Sequence, residues 1–293
     1  MFKGSIAALA TPFTEQNEVD YRKIHELIEW HIESSTDALI LCGITGEAPT
    51  LSYDELIKIY QEGVLAAKGR IPLIAGISSN DTRVAIQLTE GAKQAGVDAA
   101  LAILPYYNRP TPEGCYQHFR ELSKIDVPLL VYHHPGRVGY RLPVKDLARI
   151  AGLPNIAAIK ESSGDLDYTI ELMQLIDTPI LGGDDSLVLP MMASGAAGVM
   201  SIVANIIPRE WKILTTLLLC DQIDEAREFY RRYYSLVKAM TLEINPVCVK
   251  FALSAMGKCS SRVRLPLVEP QETTQAQILD ALAKAGLLQN ASI

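Results

Sequence analysis

The chain is short of cysteine, and the few it has make no pattern. Cys42, Cys115, Cys220, Cys248 and Cys259 are five in number, widely spaced and without a C-x-x-C pair. An odd, scattered set builds neither a disulfide framework nor a zinc knuckle, so reduced and mostly buried thiols are expected. No run reaches the roughly 18 apolar residues of a membrane span. The opening "MFKGSIAALATPF" has one charge and a short apolar stretch before Pro12, too little for a signal peptide. No block of Lys and Arg breaks the balance of 27 basic against 34 acidic residues, a net charge of -7, which argues against nucleic-acid or membrane-surface partners. A cytoplasmic protein acting on small molecules is the expectation.

Motifs for metals and nucleotides are also missing. "HELIE" at 25–29 has Glu29 where a zincin needs its second histidine. His133 and His134 are adjacent on an extended segment, so their side chains should diverge rather than hold one metal ion. "GKCS" is preceded by Ala252 where a P-loop has glycine, and neither G-x-G-x-x-G nor G-x-S-x-G follows a strand. No metal, nucleotide or other cofactor is called for.

What is present is a globular enzyme's composition: 48% apolar and 21% charged over 293 residues, enough for two average domains or one large α/β barrel. Disorder is expected only in the last few residues. Short apolar runs recur eight times: IAALA (6–10), ALILC (38–42), LIAG (73–76), AALAIL (99–104), PLLVY (128–132), IAAIK (156–160), PILGG (179–183) and AGVMSI (197–202). Between them lie amphipathic stretches such as "DYRKIHELIEWHI" and "DTRVAIQLTEGAKQAG", with i, i+3, i+4 apolar spacing and capping residues at their starts. Eight alternating strand and helix units predict a closed parallel (β/α)8 TIM barrel over residues 1–222. Residues 223–293 add "DEAREFYRRYYSLVKAM", "NPVCVKFALSAMG" and "TQAQILDALAKAGLL", read as a C-terminal helical segment packed outside the barrel.

Reactive groups of such barrels sit at the C-terminal ends of strands. There, "PNIAAIKESSGD" ends an apolar strand on Lys160. A buried ammonium must escape to solvent, find a carboxylate or lose its proton, and the last option makes an amine nucleophile for ketones and aldehydes. Tyr132, ending the neighbouring strand, would face the same mouth as a proton carrier. Arg137, in the turn after it, suits bidentate binding of a carboxylate, although a loop arginine is by default a solvated charge. Thr45 in "GITGE" can donate to a keto acid's carboxylate with its hydroxyl and backbone N–H; the plainer role is a capping threonine in a glycine turn. Glu47 reads as structural. No basic residue follows the seventh or eighth strand, so a phosphorylated substrate is not expected.

Taken in order, "GSIAALATPF", "GITGEAPTLS", "IAGISSNDT", "PYYNRPTPEG", "YHHPGRVG", "IKESSGD", "GGDD", "GVMSIVAN", "EINPVCVKFAL" and "RLPL" resemble the Schiff-base aldolase family of dihydrodipicolinate synthase and N-acetylneuraminate lyase, on its synthase side, across nearly the whole chain. The resemblance implies that Lys160 forms a Schiff base with pyruvate, whose enamine attacks L-aspartate 4-semialdehyde in lysine (diaminopimelate) biosynthesis. It makes Tyr132 the proton shuttle, gives the pyruvate carboxylate to Thr45, the semialdehyde carboxylate to Arg137, and counts Gly46 and Met200 among the substrate-binding residues. It also implies that Tyr107 reaches into a neighbouring subunit's site, hence a homodimer or homotetramer.

Three positions depart from the family pattern. Ile44 replaces a threonine that links the two tyrosines, His133 an asparagine, and Val138 a threonine. A related pyruvate-dependent aldolase or lyase using another aldehyde is therefore the alternative, and a non-catalytic keto-acid binder is a third reading, supported by Ile44 alone. Lysine-inhibited family members resemble one another at a subunit interface, where this chain keeps Asn80 and Tyr106. There Tyr53 and Leu56 replace histidines, Val84 replaces a glutamate, and Pro49 stands where a small residue is common. Without a carboxylate at position 84 the ammonium of lysine would be left partly desolvated and unpaired. Weak or absent inhibition by lysine is the expected outcome of a titration; strong inhibition below millimolar lysine would overturn it.

Overall fold

A computed structural model describes residues 2–288. The last residues, expected to be disordered, lie outside the described ones. Each apolar run becomes a strand: β1 (Gly4–Ala8), β2 (Ala38–Leu41), β3 (Leu73–Gly76), β4 (Ala99–Ile103), β5 (Leu129–His133), β6 (Ile156–Glu161), β7 (Ile180–Gly182) and β8 (Gly198–Ser201). All neighbours are parallel and β8 pairs with β1, so the sheet closes into a barrel in sequence order. Burial on both faces explains why these strands read as continuous apolar runs instead of alternating ones.

The helices that follow the strands are α1 (Tyr21–Glu33), α2 (Tyr53–Ala67), α3 (Thr82–Ala95), α4 (Pro112–Leu122), α5 (Pro135–Val138), α6 (Val144–Ala151), α7 (Leu166–Leu175), α8 (Val188–Ala193) and α9 (Pro208–Leu219). Capping residues visible in the sequence start several of them. Asp20 accepts from the Lys23 N–H, Asp81 from Arg83, and Asp165 from Tyr168, while Ser52 and Glu55 form a reciprocal capping box. The additional helices are α10 (Ile223–Ala239), α11 (Val247–Ala255) and α12 (Glu272–Lys284).

This tail does more than pack outside. Lys250 on α11 and Glu47 in the loop after β2 are both fully buried and form an ion pair of 2.8 Å. The other Glu47 oxygen accepts the Arg264 N–H at 2.9 Å, and the Arg264 guanidinium grips Glu55 with two hydrogen bonds. Lys250 Nζ also stands 4.0 Å from the centre of the Phe13 ring. Sequence periodicity identifies α11 as a helix; it cannot show that a lysine on it crosses to the barrel mouth, because that contact spans 203 residues. Glu47 itself has φ of 56°, a conformation side chains seldom take unless neighbours hold them there.

Removing one partner of a buried pair leaves the other charge uncompensated, at about 3–5 kcal/mol. Glu47→Leu is expected to lose stability in that range by urea denaturation, and Glu47→Leu combined with Lys250→Met to recover most of it.

Candidate active site

Residue alternation along two adjacent strands builds the reactive centre. Tyr132 on β5 is in register with Lys160 on β6, and His133 with Glu161. Successive side chains point to opposite faces, so one pair enters the barrel and the other leaves it. The outward pair is structural: His133 Nδ1 lies 3.1 Å from Glu161 Oε1, its ring stacks on Tyr168 of α7, and Glu161 also accepts from Thr169 Oγ1 and the Ser163 N–H. The histidine that departs from the family pattern thus faces the helix layer, away from the cavity. His134, the next residue, does line the cavity, so the two histidines diverge as expected.

The inward pair lies at the base of a cavity of about 420 Å³ at the C-terminal rim of the strands. Lys160 is 6% exposed, and its Nζ stands 4.2 Å from the centre of the Tyr132 ring. Gly183, after β7, makes room for it: a Cβ there would collide with Ser162 Oγ and lie 2.9 Å from Lys160 Cε. Burial lowers the Lys160 pKa to about 8; Asp184 and Asp185 oppose the shift and Arg137 adds to it. At pH 7 roughly a tenth of such amines are unprotonated, against about one in three thousand for an ordinary lysine. Burial also pushes the Tyr132 phenol well above its ordinary value, so at neutral pH it is a proton donor.

Thr45, Ile44, Arg137 and Asp184 line the same cavity. Among the described residues the Arg137 guanidinium makes no hydrogen bond or ion pair, which leaves it available to an anion. The two aspartates after β7 part company. Asp185 is buried and accepts the Ile202 and Val203 N–H groups, tying down the loop after β8. The Asp184 carboxylate accepts no hydrogen bond from the described residues, and burial raises its pKa to about 6 despite the attraction of Lys160. Burial, together with Arg137 and Lys160, lowers the His134 pKa to about 4, so its imidazole is neutral.

Three residues named from the sequence fall elsewhere. Met200 is fully buried in β8 and does not line the cavity, whereas Ile202, two residues on, does. Gly46 shapes the loop from behind: its carbonyl accepts from Thr11 Oγ1, and a Cβ would come within 3.0 Å of the Cys42 backbone. Tyr107 is 89% exposed, outside the cavity, on a backbone of φ 65°. Conversely, inspection of strand ends passes over Asn245 and its neighbours Glu243 and Ile244, which close the mouth from the segment before α11. The Asn245 amide donates to Thr45 Oγ1 at 3.0 Å. The "GGDD" and "EINP" stretches were the available signals. Among the described residues no cluster of three or more His, Cys, Asp or Glu is placed to hold a metal ion, and no helix is long and apolar enough to cross a membrane.

A loosely protonated amine inside a parallel barrel, beside a phenol that keeps its proton, is suited to carbonyl substrates held through a covalent imine. Fold and site define an enzyme of the Schiff-base lyase class. The model of the Dihydrodipicolinate synthetase family matches residues 1–285, and the chain belongs to that family. Curated proteins named 4-hydroxy-tetrahydrodipicolinate synthase are similar to it: that of Trichlorobacter lovleyi is 44% identical over 97% of this chain and 98% of its own length, and that of Geotalea uraniireducens 42% identical over 98% and 100%. Among solved structures, dihydrodipicolinate synthase from Aquifex aeolicus superposes with a TM-score of 0.96 at 41% identity, covering 99% of this chain and 100% of that one. The chloride-inhibited enzyme from Acinetobacter baumannii, complexed with pyruvate, gives a TM-score of 0.96 at 37% identity, over 98% and 100%.

Only the free amine attacks a carbonyl. Adduct formation at Lys160 with a small 2-keto acid, trapped by borohydride and read by mass spectrometry, should therefore rise about tenfold per pH unit below the lysine's pKa and flatten above it. With that pKa near 8 the bend falls at mildly alkaline pH. Lys160→Ala should take no label.

Proposed function

We propose that the protein condenses pyruvate with L-aspartate 4-semialdehyde to 4-hydroxy-tetrahydrodipicolinate, a step of lysine (diaminopimelate) biosynthesis. The observation that carries this reading is the in-register pair of Tyr132 and buried Lys160. The names of the relatives support the product and the pyruvate-bound neighbour supports one substrate, while the semialdehyde follows from the family resemblance. Lys160 Nζ attacks C2 of pyruvate, the carbinolamine loses water, and an iminium forms whose C3 gives up a proton to become an enamine. C3 then bonds to the aldehyde carbon of the semialdehyde, and the new alkoxide takes a proton. Attack of the acceptor's own amine on C2 closes the ring and returns Lys160 as the free amine. Tyr132 carries protons through these steps.

Thr45 and Arg137, which both line the cavity, take the two carboxylates, one on each substrate. The backbone N–H of Thr45 makes no hydrogen bond among the described residues, and it fits the same anionic end of pyruvate. Tyr107 belongs to the same reading as a residue lent to another subunit's site, in a cytoplasmic homodimer or homotetramer. Its exposure, on a loop braced by the Asn108 amide donating to the Asn80 carbonyl, supports this.

Ile44 lines the cavity where a hydroxyl would bridge the tyrosines, and it favours the second reading, the same covalent chemistry with a different aldehyde. General acid–base steps contribute about 100- to 10,000-fold, so a missing relay should cost part of that range. In a coupled assay with pyruvate and aspartate semialdehyde, Ile44→Thr is expected to raise kcat and leave pyruvate binding nearly unchanged. An unchanged or lowered kcat, with faster turnover of another aldehyde, would favour the second reading.

A further inference from the structure

We infer that Asn245 is a positioning residue, which sets the direction of the Thr45 hydroxyl so that its hydrogen faces the keto acid. The inference rests on the reading that the cavity takes pyruvate.

A threonine hydroxyl has one hydrogen to give and lone pairs to receive. In this cavity one lone pair is engaged: Asn245 Nδ2 donates to Thr45 Oγ1 at 3.0 Å. No carbonyl, carboxylate or hydroxyl among the described residues takes the Thr45 hydrogen, so it is left for whatever enters. A carboxylate only accepts, so a hydroxyl polarised this way suits it; the opposite polarity would present a lone pair to an anion.

The amide has a reason to keep this orientation. Asn245 Oδ1 is buried and has no hydrogen-bond partner. Turning the amide over would satisfy that oxygen with the Thr45 hydrogen and leave the NH2 group in the unpartnered place. Buried donors without acceptors are rarer in proteins than under-satisfied carbonyls, which have two lone pairs. It would also withdraw the hydrogen from the cavity. A side chain that leaves a buried oxygen unpaired in order to donate to one hydroxyl contributes direction, which an apolar side chain of the same size could not.

Both ends of this hydrogen bond are held by one frame. Thr45 lies two residues before Glu47 and Asn245 five residues before Lys250, and Glu47 and Lys250 are the buried ion pair. The backbone around Asn245 is further closed by the Val247 N–H donating to the Ile244 carbonyl at 2.9 Å and the Lys250 N–H to the Pro246 carbonyl at 2.9 Å.

A double-mutant cycle tests this, with half-saturating pyruvate for borohydride trapping at Lys160 as the readout, which needs no acceptor aldehyde. Asn245→Asp replaces the donor by an acceptor, so the Thr45 hydrogen turns toward it and away from pyruvate. Half-saturating pyruvate is expected to rise by about tenfold or more in the Thr45 background and by no more than about twofold in Thr45→Val, which has no hydroxyl to turn. Equal rises in both backgrounds mean that the new carboxylate acts by charge alone; they would overturn the inference while the proposed function stands. A wild-type protein that pyruvate does not label would overturn both. Should Asn245→Asp fail to fold, Asn245→Ala runs the same cycle, with an expected rise of about threefold that disappears in Thr45→Val. A rise that persists there would overturn the inference equally.

Discussion

The buried pair of Glu47 and Lys250 is the interaction on which the working part of this molecule depends. Two charges without solvent need partners, and here each has two: the carboxylate meets the ammonium and the Arg264 N–H, and the ammonium meets the carboxylate and the Phe13 ring. The pair joins the loop after β2 to the tail and holds Glu47 in its left-handed backbone conformation. Thr45 and Asn245 are thereby fixed against each other. An apolar contact would join the same elements without specifying which residues meet.

A second constraint is the two-residue period of the barrel strands. It divides a run of adjacent polar residues, Tyr132, His133, Lys160 and Glu161, into an inward pair for chemistry and an outward pair for packing. The inward lysine loses part of its affinity for protons to burial, while Asp184 and Asp185 limit the loss. The amine is consequently poised near neutrality instead of being neutral at every pH.

Much of this was legible in the sequence, for local reasons. All eight apolar runs are strands, the amphipathic stretches are helices, and their capping residues cap. Lys160 and Tyr132 could be paired from strand order alone, because a closed parallel barrel puts consecutive strand ends side by side. What strand ends could not reveal was which side chains cross long distances. Asn245 reaches Thr45 across 200 residues of chain. Met200, taken with the binding residues through resemblance, is a core residue, since the strand's alternation and its last turn bring Ile202 to the cavity. Ile44 and His134 are wall residues whose roles depend on what they face, and only the folded cavity determines that.

The latch between loop and tail also sets an order in time. A ribosome makes every barrel strand before it makes Lys250 and Arg264, so all eight strands exist as chain while Glu47 still lacks its partners. During that interval the threonine that would face a substrate lacks the asparagine that meets it. The finished mouth therefore depends on residues synthesised after the reactive lysine and after the last strand of the barrel.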